Sequence, residues 1–255
     1  MRQRPGLSVQ PADHRRRPGK VARPTLSPDC PACPGATKGL NGKARGKQPR
    51  PAPSPPETPA LTTLTIRPAR PDDDALAIQA IYAPYVLTST ATFENVPPSV
   101  DDMAGRLRTL VEGGYPVLVA EESGEGAPPR IVGYAYAGPY HKRPAYRATL
   151  ENSIYVDSQC RRGGVGAALM TRLLAEAAER GFRQVIAVIG DADNTASRQF
   201  HLRQGFREAG MIAAVGWKFG RWLDVFYYQI TLGAGSDQPP ADEGPASPSG
   251  PPTFR

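Results

Sequence analysis

Apolar positions along the chain recur with two periods, and these periods predict the order of the structural elements. Runs of the strand type, separated by Gly- and Pro-rich turns, occupy residues 117–122, 131–138, 148–156 and 184–189. Apolar residues at four-residue spacing predict an amphipathic helix from about Gly164 to Gly181, on Val165, Leu169, Leu173 and Ala177. A strand, a tight turn and a helix therefore follow one another in the middle of the chain.

The flanking segments complete a mixed pattern. Residues 63–67 predict a strand, and a helix follows from 72–74 with Leu76, Ala80, Ile81 and Tyr85, which Pro84 bends or ends. After a polar loop at 88–96, a second helix is expected from Ser99 to Gly113. A short helix at 194–204 and strands at 206–212 and 223–232 close the pattern. This order predicts one α+β domain in which α and β elements are mixed.

Composition separates this domain from two tails. Residues 1–60 contain 13 prolines and 12 Lys or Arg but three acidic residues, without either apolar period. Such a segment buries too little apolar surface to offset its ordering entropy, so we expect a disordered basic leader; whether it is translated or lies upstream of the true start codon is left open by the sequence. Residues 234–255 contain six prolines and indicate a second disordered tail. The folded domain is therefore expected at 61–233.

The charge distribution limits the classes of partner. The 255-residue chain carries a formal net charge of +7, but 1–60 alone carries +9, so the remainder is close to neutral. A neutral domain gives no basic face for nucleic acid. No apolar run reaches 18 residues, so we expect no membrane partner, and the lack of a hydrophobic segment near the N-terminus leads us to expect no secretory signal. Cys30 and Cys33 lack a second pair, no cluster has metal-ligand spacing, and Cys160 is expected to be a reduced thiol of a cytoplasmic protein.

The turn before the central helix has the chemistry of an anion site. The first N–H groups of a helix have no internal partner and carry partial positive charge, which favours a phosphate. Glycines let an anion approach the backbone closely, and two arginines add charged donors. The expected pyrophosphate site is therefore Arg161, Arg162, Gly163, Gly164, Val165, Gly166 and Ala167. Neither a P-loop lysine nor G-x-G-x-x-G is present.

This turn, as Arg161-x-x-Gly164-x-Gly166, resembles the acetyl-coenzyme A (acetyl-CoA) loop of the Gcn5-related N-acetyltransferase (GNAT) superfamily. Further segments resemble its phosphinothricin and methionine sulfoximine N-acetyltransferase branch over residues 64–232: 137–140, Arg143, Tyr146, 150–156, 187–190, Asn194-x-x-Ser197-x-x-x-His201 and 217–224. The resemblance implies a central, mostly antiparallel mixed sheet flanked by helices. It also implies acetyl-CoA as co-substrate without a metal, a small-molecule amine acceptor, and a homodimer to which 217–224 contributes.

The resemblance assigns Glu151 as the general base that deprotonates the acceptor ammonium, and burial at a strand end would raise its pKa. The alternative is a strand carboxylate paired with an arginine. His201 would protonate the leaving thiolate or position the substrate, unless it is a surface histidine. Asn194 is an N-cap and, by resemblance, a pantetheine contact together with Ser197 and the strand end at Ile154, Tyr155 and Val156.

The acceptor is expected to meet Phe93, Arg143 and Tyr146. Arg143 can grip a carboxylate or phosphinate with two parallel hydrogen bonds, while Phe93 closes the pocket. His141 stands where the herbicide-acetylating relatives carry lysine, so the exact amino acid stays open. Aminoglycoside or protein N-terminal acetylation, a non-catalytic acetyl-CoA sensor and a tail-driven nucleic-acid binder remain the alternatives. Residues 217–224 are interpreted as packing between the last strands rather than as an aromatic ligand box.

Overall fold

The computed structural model describes residues 62–240. The expectations for 1–60, for Cys30 and Cys33, and for the tail from 241 onward lie outside the described residues. The described part has four helices and seven strands: β1 (Thr63–Pro68), α1 (Pro71–Thr88), α2 (Val100–Glu112), β2 (Val117–Gly124), β3 (Ala127–Pro139), β4 (Thr149–Val156), α3 (Val165–Glu179), β5 (Gln184–Gly190), α4 (Thr195–Arg203), β6 (Arg207–Lys218) and β7 (Arg221–Thr231). The predicted order of elements is confirmed.

The seven strands form one mixed sheet in the order β1-β2-β3-β4-β5-β7-β6. Every neighbouring pair is antiparallel except β4 and β5. These two parallel strands pair only from Thr149 to Asn152 and from Gln184 to Ala187, although β4 runs on to Val156. The sheet therefore opens between β4 and β5 beyond Asn152. This is the fold class that the sequence predicted.

Two apolar clusters, one on each face of the sheet, hold the elements in place. On one face α3 buries the predicted stripe, and Leu169, Leu173 and Ala177 are fully covered. On the other face α1 and α2 cover a second cluster that includes Ile78, Leu107, Tyr134 and Tyr155. Each fully buried Leu or Ile side chain contributes about 1.5–3 kcal/mol, so both helical layers are anchored by the sheet between them. Among residues 62–240, no helix combines the length and apolar content needed to cross a bilayer.

The apolar residues noted in the sequence of α1 are buried only in part. Leu76 is 66% exposed and Ala80 is exposed, while Ala75, Ile78, Ile81, Tyr82 and Val86 are buried. Apolar residues occur on all sides of this helix, so the pattern alone did not single out the buried face. Pro84 lies inside α1 without ending it, because it falls in the last turns, where its missing N–H removes one hydrogen bond.

A buried ion pair fixes the start of α1 to the sheet. The Asp74 carboxylate is 2% exposed and accepts hydrogen bonds from Arg67 Nη1 at 2.8 Å, from Arg67 Nη2 at 3.0 Å and from the Arg70 backbone N–H at 2.7 Å. Burial by itself would raise the pKa of Asp74, but the hydrogen bonds and charge of Arg67 outweigh it and lower the pKa. Asp74 is therefore ionised in the folded protein.

Asp74→Asn should lower the free energy of unfolding by about 2–3 kcal/mol, because one member of a buried pair loses its charge while Arg67 stays. The lowered folded pKa means that this contribution is complete above the ordinary pKa of 3.8 and is lost as the pH falls below it. Urea unfolding at pH 7 and pH 3 measures both effects. Asp73→Asn, at an exposed neighbour, should cost less than about 1 kcal/mol. Equal costs for the two variants would contradict the assignment.

Candidate active site

A cavity of about 430 Å³ opens between the α1–α2 layer and the sheet. Its floor is formed by β3 and β4, where Tyr136 of β3 faces Ser153 of β4 and Gly138 faces Glu151. Glycine opposite Glu151 leaves the carboxylate uncovered by a cross-strand side chain. Its walls come from α1, α2, the loop between them and the segment after β3: Tyr82, Glu94, Met103, Arg106, Leu107, Leu110, Tyr140, His141 and Lys142. A cavity of this size holds a small molecule.

Glu151 points into this cavity because side chains alternate along β4. Leu150 and Asn152 are buried on the α3 face, whereas Glu151 and Ser153 reach the α1–α2 face and line the cavity. Glu151 makes no salt bridge within the described residues. Burial raises its pKa above the ordinary value of 4.5, since apolar surroundings disfavour the charged form. A carboxylate in this state is a stronger base than one in water.

The end of β4 is occupied by a tyrosine of α1. The Tyr85 hydroxyl donates to the Val156 carbonyl oxygen at 2.6 Å and accepts from the Val156 N–H at 3.3 Å. These groups lie beyond the part of β4 that pairs with β5, so the phenol takes the position that a neighbouring strand would take. The N–H of Val156, which belongs to the strand end expected to contact pantetheine, is therefore engaged by a side chain. The Tyr155 side chain lies in the α1–α2 cluster, and its backbone groups point to β3, since those of Val156 point to the opposite side.

The glycine-rich turn lies between β4 and α3. Gly164 caps α3 with φ 81°, and Arg162 also has a positive φ of 69°, so the backbone turns sharply before the first helical N–H groups. A Cβ at Gly164 would meet nothing within 4 Å, which leaves the approach to the backbone open. The side chains of Arg161 and Arg162 are exposed, and the Arg161 guanidinium lies 5.2 Å from the Tyr85 ring centroid. The turn is open to an anion at the end of the gap between β4 and β5.

Helix α4 carries three of the predicted residues in one hydrogen-bonded row. Asn194 caps the helix by accepting from the Ser197 N–H at 3.4 Å, and His201 Nδ1 lies 2.9 Å from the Ser197 carbonyl oxygen. A carbonyl can only accept, so Nδ1 carries the proton and Nε2 accepts from Asn152 Nδ2 at 3.3 Å. His201 is 3% exposed, and burial lowers its pKa. The residue is therefore a buried neutral histidine rather than a surface histidine.

Asn152 links α4 to the strand end. It is 6% exposed and is the last residue of β4 paired with β5. Its amide nitrogen meets His201, but its oxygen Oδ1 is buried without a hydrogen-bond partner among the described residues. A buried unpaired acceptor costs about 1–3 kcal/mol, so it indicates a position where a donor from a ligand can bind.

The residues predicted to meet the acceptor do not line the cavity. Phe93 packs in a slot between Gly190 and Gly216, where a Cβ would approach its ring to 2.4 Å and 2.3 Å. Arg143 is exposed at the start of a 3-10 turn. Tyr146, which is 39% exposed, makes an edge-to-face contact with Tyr140. The structure brings Glu151 to the cavity but leaves these three residues outside it.

Sequence reasoning missed several polar groups of the site. Arg106 on α2 and Glu94 in the preceding loop pair across the cavity wall, twelve residues apart, and no local pattern connects them. Tyr85 was assigned only to a helix, and Asn152 only to the strand. The period of two along β4 could have placed Ser153 beside Glu151 and Asn152 on the opposite face.

The last two strands expose apolar side chains. Trp217 and Trp222 are 57% and 62% exposed, and their rings contact each other edge to face with centroids 5.2 Å apart. Lys218 and Leu223 of the same segment are buried, so 217–224 combines buried residues with an exposed aromatic pair that packs between the last two strands. The hairpin patch consists of Met211, Ile212, Val215, Trp217, Phe219 and Trp222.

Comparison with known proteins identifies the family. A profile described as the Acetyltransferase (GNAT) family matches residues 83–206. The chain is 45% identical over 176 residues to a phosphinothricin N-acetyltransferase of Alcaligenes faecalis, covering 69% of this chain and 86% of that protein. It is 35% identical to the L-methionine sulfoximine/L-methionine sulfone acetyltransferase of Pseudomonas aeruginosa, covering 62% and 90% of the two chains.

A solved structure agrees with these relatives. The crystal structure of a GNAT superfamily phosphinothricin acetyltransferase from Sinorhizobium meliloti, in complex with AcCoA, matches with a TM-score of 0.67 and 39% identity. The match covers 73% of this chain and 97% of that chain. The chain therefore belongs to the GNAT acetyltransferase family, in the branch whose members are named for the N-acetylation of phosphinothricin and L-methionine sulfoximine.

Proposed function

We propose that this protein transfers the acetyl group of acetyl-CoA to the primary amine of a small amino acid or analogue, of the phosphinothricin and methionine sulfoximine class. The amine attacks the thioester directly, with Glu151 as general base. One observation carries this proposal: β4 presents the Glu151 carboxylate to the cavity while its backbone end stands free of β5. The same strand can thus contact the acceptor amine through the Glu151 side chain and the thioester donor through its unpaired backbone edge.

The residues of the gap fit the donor. The turn at 161–167 offers unpaired N–H groups and two arginines to a pyrophosphate. Beyond Asn152, β4 has no partner in β5, so the backbone groups of Ile154 and Val156, which point away from β3, can pair with the amides of a pantetheine arm. At the closed end of the gap, the unpaired Asn152 Oδ1 can accept a hydrogen bond from an N–H of the same arm. The donor supplies an activated acetyl group with a thiolate as its leaving group.

Glu151 removes the proton that the acceptor ammonium must lose before it can attack. The freed lone pair forms the C–N bond, the C–S bond breaks, and the sulfur leaves as a thiolate that takes up a proton. A backbone N–H at the open edge of β4 stabilises the negative charge that develops on the carbonyl oxygen. Since Tyr85 holds the Val156 groups, the phenol must move aside before Val156 can serve the donor. Holding both reactants on one strand supplies a further part of the rate.

His201 has the role of a positioning residue in this proposal. The imidazolium needed for a general acid is disfavoured by burial, which lowers the pKa of His201. Its Nδ1–H is held by Ser197, and its Nε2 accepts from Asn152. These two bonds fix the Asn152 amide with Oδ1 turned away from the histidine. Of the two roles that the resemblance implied, orientation of the site is therefore favoured over proton donation.

The hairpin patch supports a homodimer as part of the same proposal. The six large apolar side chains of this patch are between 47% and 62% exposed. Large apolar side chains exposed together on one hairpin are typical of association sites. A cytoplasmic location is also part of the proposal, and the free thiol of Cys160 supports it.

Glu151→Gln should lower turnover by about 10²- to 10⁴-fold, because the amide cannot accept the ammonium proton. Thiol release from acetyl-CoA, measured with phosphinothricin, methionine sulfoximine, methionine sulfone and ordinary L-amino acids, checks both the activity and the acceptor. The wild-type rate should also fall as the pH drops through the raised pKa of Glu151, and the variant should lack this limb. Glu112→Gln, at an exposed carboxylate of α2, is the matched control. Unchanged turnover in Glu151→Gln would remove it from the mechanism.

Tyr85→Phe should tighten coenzyme A binding by about 2- to 10-fold, because the donor no longer displaces two hydrogen bonds to Val156. Isothermal titration calorimetry with coenzyme A measures the change. Tyr82→Phe removes a hydroxyl of the same helix that meets Thr92 rather than β4, so its Kd should equal that of the wild type. Weaker binding in Tyr85→Phe would mean that the hydroxyl is instead a donor contact.

Ile212→Lys should convert a homodimer into a monomer, because a charge in the hairpin patch would be buried by the partner. Light scattering after size-exclusion chromatography measures the mass. Leu87→Lys changes an exposed apolar residue of α1 outside the patch and should leave the mass unchanged. A monomeric wild-type protein at high concentration would refute the dimer.

A further inference from the structure

A charged clamp forms part of the cavity wall opposite the sheet. Arg106 of α2 donates from Nη1 to Glu94 Oε1 at 2.6 Å and from Nη2 to Glu94 Oε2 at 3.3 Å. The two side chains are 36% and 35% exposed, and both line the cavity that contains Glu151. The carboxylate thus fixes the plane of the guanidinium at the edge of the space that the acceptor enters.

The guanidinium keeps donors for a ligand. Arginine has five N–H groups, and Glu94 takes two of them. Among residues 62–240, Arg106 has no other hydrogen-bond partner than Glu94. The Nε–H and the second hydrogens of Nη1 and Nη2 have no partner among the described residues, and Nε with Nη2 offers a second, permanently charged fork on a guanidinium that lines the cavity. A fork of this kind matches the two oxygens of a carboxylate.

The charges of the cavity lining balance. Glu94 and Glu151 supply two carboxylates, while Arg106 and Lys142 supply two cations. A zwitterion suits such a lining better than a polycation or an uncharged amine does, because each of its charges finds an opposite one. Among the described residues Arg106 is the one arginine of the lining, and Arg143 lies outside it.

We propose that Arg106, oriented by Glu94, binds the α-carboxylate of the acceptor while the acceptor ammonium faces Glu151. This inference rests on the proposed function and narrows its substrate class to free amino acids with an ionised carboxylate. Amino-acid amides and peptide N-termini, which lack that charge, are poor acceptors. Glu94 is a positioning residue, since it acts through the plane of the Arg106 guanidinium.

The test compares L-methionine sulfone with its carboxamide, which has the same amine without the carboxylate charge. For Arg106→Gln, kcat/KM for the acid should fall about 10- to 100-fold, mainly through KM, as expected for a lost charge-assisted hydrogen bond. The kcat/KM for the carboxamide should change less than about threefold, so the ratio of kcat/KM for the acid to kcat/KM for the carboxamide falls sharply. For each acceptor, the kcat/KM of the variant is divided by that of the wild type, which cancels the difference in basicity between the two amines.

Three further variants separate the explanations. Arg108→Gln, on the same helix and paired with Asp72 outside the cavity, should keep the wild-type ratio. Arg143→Gln should also keep the wild-type ratio of acid to carboxamide. Glu94→Gln should lower this ratio, but less than Arg106→Gln does. Thermal unfolding and coenzyme A binding of Arg106→Gln should match the wild type, which shows that the variant is folded.

Two results would overturn the proposal: an equal fall for acid and carboxamide in Arg106→Gln, or a collapse of the ratio in Arg143→Gln alone. A different result would refute the proposed function itself: a wild-type protein that acetylates neither L-methionine sulfone, nor its carboxamide, nor any of the other amino acids.

Discussion

The separation of β4 from β5 is the constraint on which the rest of the site depends. Two parallel strands that stay paired leave no free backbone, whereas here pairing stops at Asn152 and Ala187 while β4 continues. Backbone N–H and C=O groups need partners wherever water is excluded. Tyr85 satisfies those of Val156, and Asn152 Oδ1 remains unsatisfied. The gap is therefore an unfinished part of the sheet that a molecule with amide groups can complete.

Successive side chains of β4 point to opposite faces of the sheet, so neighbouring residues of this strand lie in two different environments. Asn152 faces α4 and its buried histidine, while Glu151 faces the cavity beneath α1 and α2. The two environments shift pKa values by the same cause in opposite directions. Burial raises the pKa of Glu151 and lowers that of His201, because burial disfavours the charged form of each group. The carboxylate thus becomes the stronger base, and the imidazole stays neutral and directional.

The loop between α1 and α2 owes its position to the far edge of the sheet. Lys218 is 3% exposed and donates from Nζ to the carbonyl oxygens of Ser89 at 2.9 Å and Thr92 at 2.7 Å. Phe93 fills the slot between Gly190 and Gly216, and Arg221 holds Asp191, which accepts from Thr90 Oγ1 at 2.8 Å. These contacts fix the loop that supplies Glu94 to the cavity wall. Residues of the β6–β7 hairpin therefore help to hold the cavity wall at Glu94.

The sequence by itself determined the order of elements, the capped start of α2 at Ser99 and the turn at 161–167. It also determined that Glu151 and Asn152, as successive residues of a strand, lie on opposite faces of the sheet. These features follow from local periods and from residues with special backbone preferences, such as Gly164 at φ 81°. Only the tertiary structure decided which face of α1 is buried, that Tyr85 reaches Val156, that Arg106 rather than Arg143 lines the cavity, and that Phe93 lies in a slot of glycines. Each of these depends on residues far apart in the chain that meet through packing, and a local pattern carries no information about such distances.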